Sequence, residues 1–517
     1  MVGGYAQIVA SVTELMRTRP TTRPRIPVAG IAADLDLELP RSEAVVTGIA
    51  LNTRDVERGD LYAALPGARV HGADFVAQAV ERGAIAVLTD PDGARLAGKT
   101  SVPVLVVDDP RSELPGLSRF IYDAPSDALT MIGITGTQGK TTTSYLAESA
   151  LLGAGFKPAV IGTIGTRINQ QPAASELTTP EAPQLQALLA VMREEGIDVC
   201  AMEVSSHAMV KGRVDGVTFD VAVFLNLGRD HLDFHRGLED YFQAKASLFT
   251  SEHARRAVIN IDDEHGRRLI KQTTLPVTTF STSGATADWQ ALNIRPHRLG
   301  TDLDVLDPQG REHELHVPLP GVFNVSNAMA VIASLAGLGY SVSELAVGIA
   351  SCTGVPGRME RVDAGQDFTA VIDYAHKPDA VEAILKALRP VTAGRLIMVL
   401  GAGGDRDPGK RPLMGAVAAD YADILIVTDD NPRTEDPAKI RLEILRGARD
   451  GVATVLDISG RREAIAAAVD LARTGDTVVV AGKGHERGQE INGVTHPFDD
   501  RVELVAVIRN HRGEAST

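Results

Sequence analysis

The chain has 517 residues, 44% of them hydrophobic, and a formal net charge of -15 at pH 7. At roughly 150 residues per domain, that length suits about three domains, and the acidic balance gives no support to a nucleic-acid role. Cys200 and Cys352 are the only cysteines, so no disulfide framework is expected.

Residues 1–10 have no basic region ahead of an apolar core, so no signal peptide is expected. No apolar run approaches the ~20 residues of a membrane span. A cytoplasmic chain, acting as a monomer on small molecules, is the expectation. Residues 19–27 are rich in Pro and Arg and read as an irregular arm. Short apolar runs then alternate with helical patterns as far as 102–107. A strand-like run at 129–135 opens a second segment, which closes near the linker Gly354-Val-Pro-Gly357. The third segment repeats strand, polar loop and amphipathic helix, with strands at 370–373, 396–400, 424–427 and 477–480. This alternation predicts an α/β chain of three domains, 1–127, 128–355 and 356–517. The central one is a parallel-sheet P-loop ATPase domain, and the last is Rossmann-like.

Nearly every polar cluster directly follows an apolar strand. In open parallel sheets ligands sit beyond the carboxyl ends of the strands. The clusters after Thr135, Glu203 and Arg229 therefore belong to one edge of the middle domain. Those at Asp373, Gly403, Asp429 and Gly482 belong to an edge of the last. An active site between the two edges is expected.

Gly133-Ile-Thr-Gly136-Thr-Gln-Gly139-Lys140-Thr141-Thr142 lies between a strand and a helix. Glycines let the backbone turn its N–H groups toward phosphate oxygens, and the helix N-terminus adds positive charge. Lys140 then reaches the β- and γ-phosphates, and the Thr141 hydroxyl is placed to bind Mg²⁺. The strict phosphate-loop pattern is missed by one position, where Ile134 stands beside Gly133. Glu203 opens the next polar cluster, at a strand end, and suits an oxygen-seeking cation. His231 follows Arg229 and Asp230 at another strand end. Helical spacing puts Lys245 on one face with Tyr241 and Leu248, apolar but for the lysine. Such a lysine can snorkel to water. It can instead be desolvated, react with CO₂ and become an anionic carbamate.

Taken in order, these motifs resemble the Mur ligase family over about residues 45 to 510. The resemblance is carried by the phosphate loop, Met202-Glu-Val-Ser-Ser-His207, Asn226 with Arg229-Asp-His-Leu-Asp233, and Ala244-Lys245. It continues through Gly321-Val-Phe-Asn324-Val-Ser-Asn327, Pro356-Gly-Arg-Met-Glu360, Asp373-Tyr-Ala-His376, Gly403-Gly-Asp-Arg406 and Asp430-Asn-Pro-Arg433. The family implies an ATP-dependent ligase of peptidoglycan precursor synthesis. It would add meso-diaminopimelate to the D-glutamate of UDP-N-acetylmuramoyl-L-alanyl-D-glutamate through an acyl phosphate.

The resemblance also implies roles. Gly136, Thr137, Gln138, Gly139, Lys140, Thr141 and Thr142 bind ATP, with Asn324, Asn327, Arg358 and Asp373 around the nucleotide. Lys140, Glu203, His231 and Lys245 form the catalytic set. Thr141, Glu203, His231 and Lys245 as its carbamate surround Mg²⁺. The first domain binds the UDP-sugar through Leu51, Thr53, Ala68, Arg69 and Val70. Thr178, Thr179, Ser205, Lys211 and Arg213 meet the muramoyl dipeptide. Arg406, Asp430, Asn431, Pro432, Arg433, Gly482 and Glu486 form the diaminopimelate pocket. Thr53, Gln138, Lys211 and the side chains of Ala68-Arg69-Val70 depart from common family choices. Arg433 is the residue suited to grip the distal carboxylate of diaminopimelate. L-lysine in its place would leave Arg433 unpaired, at roughly 2–5 kcal/mol. Alternatively, Arg433 pairs with Glu435 or Asp436 on a solvated loop. The rival activities are a folylpolyglutamate-type ligase, or a catalytically dead protein that binds nucleotide.

Overall fold

Runs such as Val199-Cys-Ala-Met-Glu203 are apolar at consecutive positions, the pattern of strands covered on both faces. In the computed structural model these runs are buried parallel strands. The structure describes residues 15–38, 42–231 and 234–514. The stretch read for a signal peptide, and Leu232 and Asp233 of the histidine motif, lie outside them. Two compact units emerge, Met1–Gln290 with Met329–Gly348, and Ala291–Ala328 with Ile349–Thr517.

Among the described residues the first unit carries one short two-stranded pairing and two larger sheets. One is parallel and four-stranded, in the order Gly48–Ala50, Asp60–Ala63, Ala86–Thr89, Val104–Val106. The arm at 19–27 is not wholly irregular: Ile26–Pro27 pairs antiparallel with Val45–Val46. Arg19 explains how a polar arm is held, since its guanidinium donates to the fully buried Asp60 at 2.7 Å. In the second sheet Thr130–Thr135 lies between Val199–Glu203 and Val221–Phe224, parallel to both. Ala257–Asn260 and Val277–Ser281 extend it in parallel. At its other side Pro158–Gly162 pairs parallel with Val199–Glu203, and Gly165–Ile168 and Gln171–Ala173 add an antiparallel edge. The strand Thr130–Thr135 is thus central, and its carboxyl end runs straight into Gly136.

The second unit holds a six-stranded sheet in the order Glu360–Val362, Thr369–Asp373, Thr477–Ala481, Leu396–Leu400, Ile424–Val427, Thr454–Asp457. All pairings but the first are parallel. Two apolar layers cover its faces, one around Met398, Leu425 and Met414, the other around Ile397, Ile426 and Ile465. The last strand in sequence, Thr477–Ala481, inserts between the first and second of the parallel set. That crossover brings the polar ends of four neighbouring strands to one edge. Among the described residues no helix is long and apolar enough to cross a membrane.

Beneath that edge lies an ion pair with no access to solvent. Arg461 donates to both oxygens of Asp500, at 2.7 and 2.6 Å, and both side chains are fully buried. Arg461 also donates to the carbonyl of Ala481 at 2.9 Å, at the end of the inserted strand. Breaking a buried pair from one side strands a charge. Asp500→Ala is expected to lower stability by about 3–5 kcal/mol in urea unfolding. A loss below about 1 kcal/mol, the size typical of an exposed pair, would contradict this.

Candidate active site

The phosphate loop is shaped from outside as well as by its glycines. Gly139 has φ of +90° just ahead of the helix Lys140–Gly153. A Cβ on Gly136 would lie 2.9 Å from Leu225 Cβ. Asn226 clamps the turn: its Oδ1 accepts from the N–H groups of Thr137 and Gln138, at 3.1 and 2.9 Å. Its Nδ2 donates to the Gln138 carbonyl at 3.1 Å. Lys140 folds back over the loop, its ammonium 2.8 Å from the Gly136 carbonyl and 3.3 Å from that of Thr137. Thr141 and Thr142 are buried in the first helical turn.

Lys245 does not snorkel. It is 1% exposed, and its Nζ donates to the same Gly136 carbonyl at 3.0 Å. The amine also stands 4.6 Å from the centre of the Tyr241 ring. Burial pushes the Tyr241 hydroxyl well above its ordinary range. Leu248 is buried as expected, just beyond the helix Leu238–Ala246. Glu203 is 1% exposed, and its two oxygens accept from Thr163 N–H and Thr163 Oγ1 at 2.9 and 3.0 Å. His231 has a left-handed backbone, φ +51°. Its Nε2 lies 3.3 Å from Asp230, and its ring packs edge-on to His207 at 4.8 Å and to Tyr241 at 5.9 Å. Tyr241 therefore touches both the lysine and the histidine.

The residues expected to meet the muramoyl dipeptide connect to this cluster. Thr178 Oγ1 is 3.1 Å from Thr163 Oγ1, and Thr179 Oγ1 donates to the Glu203 carbonyl at 2.8 Å. Ser205 caps the helix Ser206–Val210. Arg213 is nearly buried; it donates to the Thr179 carbonyl and pairs with Glu181 at 2.8 Å, and its Nε has no partner. Lys211 and the run Ala68, Arg69, Val70 are exposed. Leu51 and Thr53 are half-buried around a short turn capped by Asn52.

In the second unit, Asn324 and Asn327 are buried and linked, Asn327 Nδ2 donating to Asn324 Oδ1 at 3.2 Å. Asp373 accepts backbone N–H groups from Met359 and Ala375, both at 2.7 Å. Burial raises its carboxyl above the ordinary range, while Arg358 and those amides oppose the rise. Arg358 lies over the Tyr374 ring at 4.4 Å.

The amino-acid residues converge at the strand ends. Asn431 Nδ2 donates to Glu486 at 2.8 Å, and its Oδ1 accepts from Lys483 at 3.0 Å. A Cβ on Gly482 would fall 2.7 Å from Asp430. Arg406 is exposed on its loop. Arg433 follows Pro432 with φ +53°. It does not pair with Glu435, which is held by Arg411, nor with Asp436, which caps the helix Pro437–Gly447. Its Nη1 donates to the Gly404 carbonyl at 2.6 Å, and its Nε faces Glu490 at 3.2 Å. An empty pocket therefore does not leave Arg433 unpaired, and the penalty expected for L-lysine on that ground is too large.

Three family models match in order along the chain. "Mur ligase family, catalytic domain" covers residues 45–120, "Mur ligase middle domain" 134–335, and "Mur ligase, glutamate ligase domain" 357–484. The chain belongs to the Mur ligase family. It is an ATP-dependent ligase. A UDP-N-acetylmuramoyl-L-alanyl-D-glutamate--2,6-diaminopimelate ligase of Streptomyces coelicolor is 53% identical over 500 residues, 96% of this chain and 99% of that one. A ligase of the same name from Corynebacterium glutamicum is 48% identical, over 90% of this chain and 92% of its own length. A solved structure of an enzyme so named superposes with a TM-score of 0.67 at 34% identity, over 93% of this chain and 99% of that one.

Several residues of this Mur ligase site escaped the sequence reading. Asn226 stood in a motif without a role, although an Asn after a buried strand beside a Gly-rich loop is a natural backbone clamp. Thr163 is not marked by any motif. His235 links Ser206 and Asp240, at 2.9 and 3.2 Å, joining two helices of the site. Lys483 sat inside a motif read only for Gly482 and Glu486, and it is fully buried among Asn431, Glu486 and the Gly488 carbonyl.

His485 adjoins this pocket, 5.3 Å from the Tyr374 ring, with a buried Nδ1 that has no partner. Burial, then Arg358 and Arg487, lowers its pKa from 6.5 to about 4. The native state thus holds it neutral, and the unfolded chain binds the extra proton first. Its contribution to stability is complete above pH 6.5 and fades as pH falls toward about 4. The His485 ring signals in an NMR titration are expected to stay constant from pH 8 to about 5.5. A midpoint near the ordinary value of about 6.5 would refute the burial argument.

Proposed function

We propose that the chain joins meso-diaminopimelate to the D-glutamate of UDP-N-acetylmuramoyl-L-alanyl-D-glutamate, with ATP hydrolysis driving the bond. The observation that carries this is the linked Asn431, Lys483 and Glu486 at the strand ends, with the Arg433 guanidinium on the same loop suited to a distal carboxylate. The relatives named for diaminopimelate addition support the choice of substrate. The roles assigned to 1–127, 128–355 and 356–517 are binding of the UDP-sugar, ATP and amino acid in turn. One family match falls within each range.

The reaction has two steps. The γ-phosphoryl group of ATP passes to the D-glutamate side-chain carboxylate, giving an acyl phosphate and ADP. The amine of diaminopimelate then attacks the acyl carbon, and phosphate leaves with the electrons of the C–O bond. The first step brings two anions together. Lys140, the loop N–H groups and the N-terminus of Lys140–Gly153 oppose that repulsion. Arg213, held by Glu181 and the Thr179 carbonyl, adds positive charge on the side assigned to the muramoyl peptide.

The donor set suits Mg²⁺ on chemical grounds. Glu203 and Thr141 offer oxygens, and a carbamate on Lys245 would add more, where a plain ammonium offers none. His231 is the single nitrogen donor of the set. When bound, the ion neutralises phosphate charge. Glu203 is kept in place by Thr163, and Lys245 by the Gly136 carbonyl. Tyr241 packs against Lys245, which is shut away from water, and against the more exposed His231.

Selectivity for diaminopimelate over L-lysine rests on the distal carboxylate. Arg433 keeps Glu490 and Gly404 as partners without it, so the gain is one added charge-assisted contact, roughly 1.5–3 kcal/mol. That amounts to about 10- to 100-fold in kcat/KM. Arg433→Ala should remove this preference while leaving the KM for ATP within about twofold. Equal kcat/KM for the two amino acids on the unaltered enzyme would overturn the assignment.

A further inference from the structure

Away from the site, the strands Trp289–His297, Gly300–Leu306 and Glu312–Val317 form a meander. Asp302 and His316 are directly opposed across the last two. His297 ends the neighbouring strand, so three adjacent strands each contribute one side chain to a single row. Asp302 Oδ1 lies 2.7 Å from His316 Nδ1 and 3.4 Å from His297 Nε2. The two imidazoles are stacked, 5.5 Å between centres and 25° between planes. One potential ligand atom from each of the three lies within 4.8 Å of the others.

His297 supplies the second observation. Its Nε2 is shut off from solvent and makes no hydrogen bond, though it faces a carboxylate. A buried ring nitrogen normally has a partner. The Leu299 N–H donates to His297 Nδ1 at 3.2 Å and fixes the ring so that Nε2 points at Asp302.

We propose that His297, Asp302 and His316 form a Zn²⁺ site. The two imidazole nitrogens are borderline donors that favour zinc over the hard Mg²⁺, and zinc also accepts the one carboxylate oxygen. With bond lengths of about 2.0–2.2 Å, tetrahedral donor atoms stand roughly 3.3–3.6 Å apart, so Asp302 and His316 must separate slightly to admit the ion. The side chains as a whole are 37%, 47% and 34% exposed, so the row lies at the protein surface, where a water can serve as fourth ligand once the ion is bound. Zinc on Nε2 moves the His297 ring proton to Nδ1 and costs the bond from Leu299. The site is therefore weaker than a closed four-ligand one. It shares no residue with Thr141, Glu203, His231 and Lys245, and it ties three strands together.

The test is a Zn²⁺ titration of the metal-free full-length protein against a chromophoric chelator, with excess Mg²⁺ present. The unaltered chain should bind one more Zn²⁺ than the His297→Ala/His316→Ala double variant, and Zn²⁺ should raise its Tm. Asp302→Asn, nearly isosteric and suited to the case where the double variant folds poorly, should weaken that same Zn²⁺ by more than about tenfold, the smallest loss seen even for outer partners of a metal site. Unchanged stoichiometry and affinity in either folded variant would overturn the proposal.

Discussion

Two lysine amines meet at one backbone carbonyl. Lys140 and Lys245 both donate to Gly136 O, at 2.8 and 3.0 Å, and Lys245 is shut away from solvent. Two ammonium groups so close in a poorly solvated place repel each other. In the proposed reaction the repulsion would end when phosphate pairs with one amine and the other is carbamylated. The remaining features of the first unit serve this arrangement. The central strand delivers Gly136, Asn226 fixes the turn, and Tyr241 packs against both Lys245 and His231.

In the proposed function the second unit answers a different demand, that of recognising an amino acid with two charged ends. Its sheet brings four strand ends together, and the loops there are held by buried charges. Arg411 grips Glu435 and Glu443, both at 2.8–2.9 Å, beneath the loop that presents Arg433. Lys483 saturates one side of Asn431 and Glu486. These residues contribute rigidity, so that the few groups left facing the pocket are already oriented.

Much of this was legible in the sequence because buried parallel strands are short apolar runs and their functional loops follow at once. The strands at 396–400 and 424–427 match Leu396–Leu400 and Ile424–Val427 residue for residue. What escaped had no such signal. The hairpin Gly488–Ile491 and Val494–Pro497 is polar and largely exposed, although Asn492-Gly493 marks its turn, with φ of +50° and +76°. Missing that hairpin meant missing Glu490, the partner that changes how Arg433 works. The edge strand Thr454–Asp457 was lost because its residues are only half-buried or exposed. Partnership across long sequence separations, such as Asn226 with Gln138 or Lys245 with Gly136, is fixed by sheet order and cannot be read from local pattern.

The carbamate on Lys245 is the chemical step on which the account of the first unit turns. It can be observed directly by equilibrating the folded enzyme with ¹³C-bicarbonate and recording its ¹³C spectrum. A carbamate resonance should appear in the unaltered enzyme, be absent in Lys245→Ala, and disappear on unfolding. A fully active enzyme that shows no such resonance, or one that persists in Lys245→Ala, would contradict it.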